Sequence, residues 1–183
     1  NFNIYIKVKV LKFGGSSVGS KESILNLKGI VESQSDDVIV VVSALGGITD
    51  RLINTAKLAA KGDRQYEEEL SLMLKRHEQM IRDVIEVKRR RRANKHVRQL
   101  FDELSDIMHG LFLLHDLSEK TLDTIMSYGE RLSTQIVVEL IDDIKLFDAR
   151  NFIKTEHKSP THAIDSNLTY QLIQDTFKEL PHR

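Results

Sequence analysis

The 183-residue chain has no cysteine. That excludes disulfides, thiolate metal sites and a cysteine nucleophile. It has no net charge, with 27 basic residues against 27 acidic ones, so nothing global calls for nucleic acid or an acidic membrane surface. It has no long apolar run. The longest, Val38 to Val42, is far short of the roughly 20 residues that span a bilayer. No secretory signal and no internal repeat is visible. Asn1 to Ile6 carries no Met and is given no functional weight. These absences set the expectation of a cytoplasmic globular protein with no nucleic-acid or membrane partner.

What is present begins with period-two alternation. Ile4, Ile6, Val8 and Val10 alternate with Tyr5, Lys7, Lys9 and Leu11, which predicts a strand running into Lys12. Gly14-Gly15 breaks it. Ile24, Leu27 and Val31 form a helical stripe between Ser20 and Glu32. The largely β-branched run from Val38 to Leu45 reads as a strand covered on both faces. After Gly46-Gly47, Thr49 or Asp50 is placed to cap a helix through about Lys61, which Gly62 would stop. Strand, helix, strand, helix argues for an α/β sandwich with a parallel sheet.

From about residue 64 to 139 the spacing is helical throughout, as in Leu70, Met73, Leu74, His77, Ile81 and Val84. Breaks are expected near Lys88–Asn94 and Asp116–Ser118. This stretch reads as a helical insert in the α/β framework. The basic run Lys88–Arg92 reads as a solvated loop between insert helices, because its flanking charges are mixed. Lys145 to Thr155 reads as a strand-like tail, Ser159-Pro160 as a turn and Ile164 to Phe177 as a last helix. His77, His96, His109 and His115 show no metal-ligand spacing and read as ordinary helix residues.

Three segments carry chemistry. In Lys12-Phe13-Gly14-Gly15-Ser16-Ser17-Val18 a strand ends in a lysine, followed by two glycines, two hydroxyls and a helix. Glycines let backbone N–H groups close on phosphate oxygens, a helix N-terminus favours anions, and a lysine supplies a point charge for a transferring phosphoryl group. A plain strand-to-helix turn would leave the same glycines. The spacing fits neither the P-loop nor the dinucleotide fingerprint. Ser43-Ala44-Leu45-Gly46-Gly47-Ile48-Thr49-Asp50 repeats the pattern after the second strand. In a parallel sheet both turns lie at carboxyl ends of strands, where open α/β folds bind ligands. Ser127-Tyr128-Gly129-Glu130-Arg131-Leu132-Ser133 says little alone. Gly129 inside a helical pattern costs about 1 kcal/mol against alanine, which hints at close backbone approach.

Together, in this order and spacing, the three segments resemble aspartate kinase. Phe147-Asp148-Ala149-Arg150 and Thr155 resemble that family's next segment. Leu104 to Glu130, with His109-Gly110-Leu111 and Leu122-Asp123, resembles the helical insert of the larger aspartate kinases, including those fused to homoserine dehydrogenase. The resemblance runs from about Val8 to the end of the chain.

It implies the three-layer αβα amino-acid kinase fold, here the N-terminal substrate lobe with its insert, and ATP-dependent phosphorylation of the L-aspartate β-carboxylate. Lys12 would hold the transferring phosphoryl group. Gly14, Gly15 and Ser16 would line the phosphate loop. Ser43, Gly47 and Thr49 would contact aspartate, and Glu130 would bind its α-ammonium. Mg²⁺ would arrive with ATP, and the full-length enzyme would be a homo-oligomer. The family's Gly-Arg-Gly-Gly-Ser-Asp segment, its nucleotide lobe and its regulatory ACT domains are not recognisable in the 183 residues, so this piece alone is expected to be inactive. Two other readings stand beside this one: a kinase of the same fold acting on glutamate, acetylglutamate, carbamate or a nucleoside monophosphate, and a non-catalytic interaction domain.

Overall fold

The computed structural model describes residues 8–158 and 161–178. The chain forms two compact units, one through Ile144 and one from Lys145.

The first unit opens with a β–α–β passage. Strand β1 (Lys9–Phe13) pairs in parallel with β2 (Val38–Val42), in a register that places Lys12 opposite Val41 and Phe13 opposite Val42. A 3-10 turn (Gly15–Val18) and helix α1 (Lys21–Glu32) connect them. Ser20 and Ser23 form a reciprocal capping box at the start of α1, which satisfies amides that the helix cannot. Ile24, Leu27 and Val31 are buried, as their spacing predicts.

The expectation that β2 is covered on both faces is not met. Val38, Ile39 and Val40 are only half-buried and Val41 is 43% exposed. Among the described residues this sheet has two strands, so β2 gains cover from β1 on one edge but little on its faces.

The rest of this unit is helical: α2 (Ile48–Ala60), α3 (Gln65–Val84), α4 (Val87–Leu114) and α5 (Glu119–Leu140). Helix α2 packs against the other three. Its apolar stripe, Ile48, Leu52, Ala56 and Ala59, is fully buried against side chains such as Met73, Leu104, Ile125 and Leu132. Alanines on α2 permit that closeness. Gly62 ends α2 with φ of +75°, as expected of a helix-stopping glycine. His115 does not continue a helix but closes α4 in the left-handed region, at φ of 54°. The break at residues 116–118 falls where the sequence places it, with the Ser118 hydroxyl accepting the Thr121 N–H.

The other expected break is displaced. Lys88–Asn94 is not a loop; it forms the first turns of α4, and the chain reverses at Ile85 and Glu86 instead. The basic run is used structurally. Arg92 makes a bidentate pair with the buried carboxylate of Glu139, at 2.6 and 2.7 Å. Arg89 donates to the Glu139 carbonyl and pairs with Asp142, and Lys28 donates to the Leu140 carbonyl at 3.0 Å. Arg89 and Lys28 thus satisfy carbonyls at the end of α5, where the helix dipole favours positive charge.

His77 lies in this core, fully buried, with its ring edge-on to Phe101 at 5.4 Å. Its Nδ1–H donates to the Met73 carbonyl at 2.7 Å, and Nε2 has no protein partner. Burial lowers its pKa from 6.5 to about 4, against the opposing effect of the Met73 bond. The imidazole is therefore held neutral. Stability from this site is fully present above the unfolded value of 6.5 and is lost as pH falls through the folded value of about 4. The full shift corresponds to about 3 kcal/mol. Urea titrations at pH 7 and pH 4 should show a loss of stability that His77→Leu reduces by that order; an equal loss in both proteins would refute the assignment.

The second unit carries a 3-10 turn (Ala149–Asn151), an antiparallel pair β3 (Thr155–Lys158) and β4 (Thr161–Ile164), and helix α6 (Ser166–Phe177). The strand-like tail expected over Lys145–Thr155 is not a strand before Thr155. Asp148 caps the 3-10 turn through the Arg150 N–H, and that capping directs the chain away from extended geometry. Phe147 and Phe152 pack on Phe177 at 5.1 and 5.3 Å. Thr169 is buried and bonds both the amide and the carbonyl of Lys154. The expected turn at Ser159-Pro160 lies outside the described residues.

Candidate functional site

The two glycine turns meet through bare backbone. A Cβ on Gly15 would lie 3.5 Å from the Ala44 carbonyl oxygen, and one on Gly46 would lie 3.4 Å from the Gly15 carbonyl oxygen and 3.6 Å from Gly19 Cα. The Ser43 N–H donates to the Phe13 carbonyl at 3.0 Å, which extends the strand pairing into both turns. The Cβ distances at Gly15 and Gly46 are van der Waals distances, so the two turns lie in direct backbone contact. The parallel register of β1 and β2 thus brings segments 12–18 and 43–50 together at the carboxyl ends of their strands.

Lys12 is exposed, and its Nζ lies over its own turn, 3.8 Å from where a Cβ on Gly14 would be. None of the described carboxylates forms an ion pair with it. Gly14 precedes the 3-10 turn in extended conformation with no side-chain cap, and the Ser17 N–H returns to its carbonyl at 2.9 Å. Ser16 is exposed beside it. A short 3-10 turn carries the two hydroxyls between the glycines and the helix expected over Ser20 to Glu32. The α-helix proper starts later, and its own serines cap it.

The second turn is polarised by burial. Ala44 and Leu45 are buried, whereas Ser43 and Thr49 are half-buried and Gly47 is exposed. Thr49 is not the N-cap of α2. Gly47 holds that position with φ of +76°, and no side chain caps the helix. The turn needs a left-handed residue there, which glycine adopts without strain, so the helix begins at Ile48 and Thr49 falls within its first turn. The N-terminal amides of a 13-residue helix are consequently left without a side-chain cap, in the setting that favours a carboxylate or phosphate oxygen.

Helix α5 brings in the third segment. The carboxylate of Glu130 is exposed and accepts the Ala44 N–H at 3.4 Å. Ser133, buried, donates its hydroxyl to the Ser43 carbonyl at 2.7 Å, with the Glu130 carbonyl at 3.0 Å. A Cβ on Gly129 would sit 2.7 Å from Ala44 Cβ, closer than side chains tolerate. On its other side α5 is tied to α4: Tyr128 donates to Glu103 at 3.1 Å, and Arg131 pairs with Glu103 at 3.2 Å while lying over the Tyr128 ring at 4.3 Å.

Lys12, Gly14, Gly15 and Ser16 therefore share one turn. Ser43, Gly47 and Thr49 share the turn packed on it, and Glu130 reaches that second turn from α5. Sequence reasoning did not single out Ser133 or Ala44. The available signal was the i, i+4 spacing of Gly129 and Ser133, which places both on one helix face. Among the described residues no cluster of three or more metal-ligating side chains occurs, and no helix is long and apolar enough to cross a membrane.

Known proteins resemble this chain in sequence and in fold. The pattern of the amino acid kinase family matches residues 7–179. The aspartokinase of Candida albicans is 30% identical over 141 residues, which are 73% of this chain and 26% of that protein. A bifunctional aspartokinase/homoserine dehydrogenase of Buchnera aphidicola is 30% identical over 139 residues, 73% of this chain and 17% of that protein. Escherichia coli aspartokinase III, solved with aspartate and ADP, superposes with a TM-score of 0.78 at 23% identity, over 94% of this chain and 38% of that one. The chain thus spans about a quarter or less of the length of these curated relatives.

Proposed function

The chain belongs to the amino acid kinase family, and on that premise we propose that it forms the acceptor side of an aspartate kinase active site. Residues 1–183 would act as the substrate lobe of a longer polypeptide, with the insert at about 64–139. The observation that supports this most is the meeting of three segments at one place: two glycine turns in backbone contact, and a glutamate on α5 reaching the second of them.

The reaction asks little covalent chemistry of the protein. An aspartate β-carboxylate is already ionised at neutral pH, so attack needs no general base. A β-carboxylate oxygen forms a bond to the γ-phosphorus of ATP, the bond from that phosphorus to the β–γ bridging oxygen breaks, and ADP leaves with its electron pair. No proton has to move. The difficulty is bringing two anions into line and offsetting their repulsion.

In this reading Lys12 places a cation beside the transferring group, and the amides of Gly14, Gly15 and Ser16 support its oxygens. Mg²⁺ enters bound to ATP as part of the substrate and neutralises phosphate charge. Gly47 and Thr49, at the uncapped start of α2, receive a carboxylate of aspartate together with Ser43. Glu130 receives the α-ammonium and so selects an amino acid over a dicarboxylate lacking nitrogen. ATP as phosphoryl donor fits a cytoplasmic site of action.

The test is an assay of the full-length polypeptide with MgATP and a panel of acids, with any acyl phosphate trapped by hydroxylamine. Aspartate should be the preferred acceptor over glutamate, acetylglutamate, carbamate and succinate. Preference for another acid would move the protein elsewhere in the family, and no turnover of any would leave a binding role. The 183-residue chain alone should not turn over; a normal rate from it would refute the assignment of the nucleotide lobe to other residues.

A further inference from the structure

We propose that α5 positions the acceptor turn, with Gly129, Ala44 and Ser133 acting as positioning residues for acceptor recognition; this rests on the aspartate reading above. None of the three would touch aspartate. They act through Ser43, Gly47 and Glu130, which would.

The case is geometric. Two attachments join α5 to the turn, one steric and one polar, a single helical turn apart. At Gly129 a Cβ would approach Ala44 Cβ to 2.7 Å, Leu52 Cδ1 to 3.5 Å and Ile48 Cγ2 to 3.8 Å. Only the first is an impossible distance, so the absent Cβ specifically admits Ala44. At Ser133 the hydroxyl lies 2.7 Å from the Ser43 carbonyl in a site 1% exposed. Without that donor the Ser43 carbonyl would lose its side-chain link to α5. Glu130 lies between these attachments and accepts the Ala44 N–H. The same two contacts therefore fix the distance from the Glu130 carboxylate to the turn, which is the span an acceptor with an α-ammonium and a carboxylate must bridge.

A glycine kept inside a 22-residue helix is otherwise unfavourable, because it adds backbone freedom to the unfolded chain. Elsewhere on α5 nothing calls for one. Close approach to Ala44 supplies the reason.

The steric attachment can be tested by exchange. In the full-length polypeptide, Gly129→Ala adds a methyl where Ala44 Cβ stands, and Ala44→Gly removes that Cβ. Gly129→Ala alone should raise KM for the acceptor about tenfold or more, with KM for ATP within about twofold of the parent. The double variant Ala44→Gly/Gly129→Ala should return the acceptor KM most of the way. Ser133→Ala, which keeps size and removes the donor, should also raise acceptor KM with ATP KM unmoved, and reads the same link if Gly129→Ala does not fold. Melting temperatures taken alongside separate positioning from stability. Variants that lose melting temperature with acceptor KM unchanged, or a double variant no better than Gly129→Ala, would overturn the proposal. If the polypeptide phosphorylates a different acid, the aspartate reading fails and the KM split is read on that acid. If it phosphorylates none, both fall.

Discussion

Lys12→Ala in the full-length polypeptide should lower the rate of aspartate phosphorylation by about 10³-fold or more and leave the melting temperature unchanged. The two halves of that result have separate grounds. Loss of rate follows from the chemistry: charge develops between two anions, and a cation placed there before the reaction begins costs no reorganisation during it. Lys12 is the one cation carried by the phosphate turn itself, and its Nζ already lies over Gly14. Retention of fold follows from exposure. Lys12 stands at the end of β1 with its side chain in solvent, and its backbone pairing opposite Val41 survives the substitution. Lys12→Arg makes the test sharper. It keeps the charge but replaces a compact ammonium by a planar fork, so it should recover only part of the rate. Activity within tenfold of the parent for Lys12→Ala would remove Lys12 from the mechanism. An equal loss with collapse of the melting temperature would make it a structural residue instead.

Much of this site is legible in the residues because its causes are local. Glycine pairs at strand ends, hydroxyls beside them and a β-branched strand each state their own geometry, and β1, β2, α1 and the stop at Gly62 follow. What the sequence hides depends on partners distant along the chain. The basic run at residues 88–92 reads as a solvated loop because its flanking charges are mixed and no neighbour in sequence claims its cations. In the fold, Glu139 and Asp142 arrive from some 50 positions away to pair with them, and the reversal occurs at Ile85, where neither glycine nor proline marks it. Thr49 reads as a cap because threonine caps helices well, but the positive φ at Gly47 starts the helix two residues earlier than a threonine cap allows. Ser133 is invisible for a related reason: its acceptor is the carbonyl of Ser43, 90 residues before it. The roles proposed for Lys12 and Glu130 rest on resemblance alone, since an exposed lysine at a strand end and a Glu-Arg pair on a helix suit many proteins equally well.

Glu130→Gln is the substitution that separates an amino-acid acceptor from any other acid. It should raise KM for aspartate by about 10- to 100-fold, the value of one hydrogen bond to a charged group, while inhibition by succinate changes by less than about twofold. Glutamine keeps the length of the side chain and an oxygen that can still accept the Ala44 N–H now held at 3.4 Å. The turn should therefore stay where it is, and Gly47 and Thr49 should receive a carboxylate as before. Only the charge that would face an α-ammonium is removed. Succinate has both carboxylates of aspartate and no nitrogen, so it reports on the remainder of the site. A polar site built to bind a substrate group discriminates strongly against the analogue that lacks it, because its own groups are then left unpaired. Removing the charge should narrow the gap between aspartate and succinate from the aspartate side alone. Equal weakening of both ligands would mean that Glu130 serves only to hold the 43–47 turn. No change in either would mean that the α-ammonium is read elsewhere, and the contact between Glu130 and Ala44 would then be a helix-to-turn link of the same kind as Ser133 to Ser43.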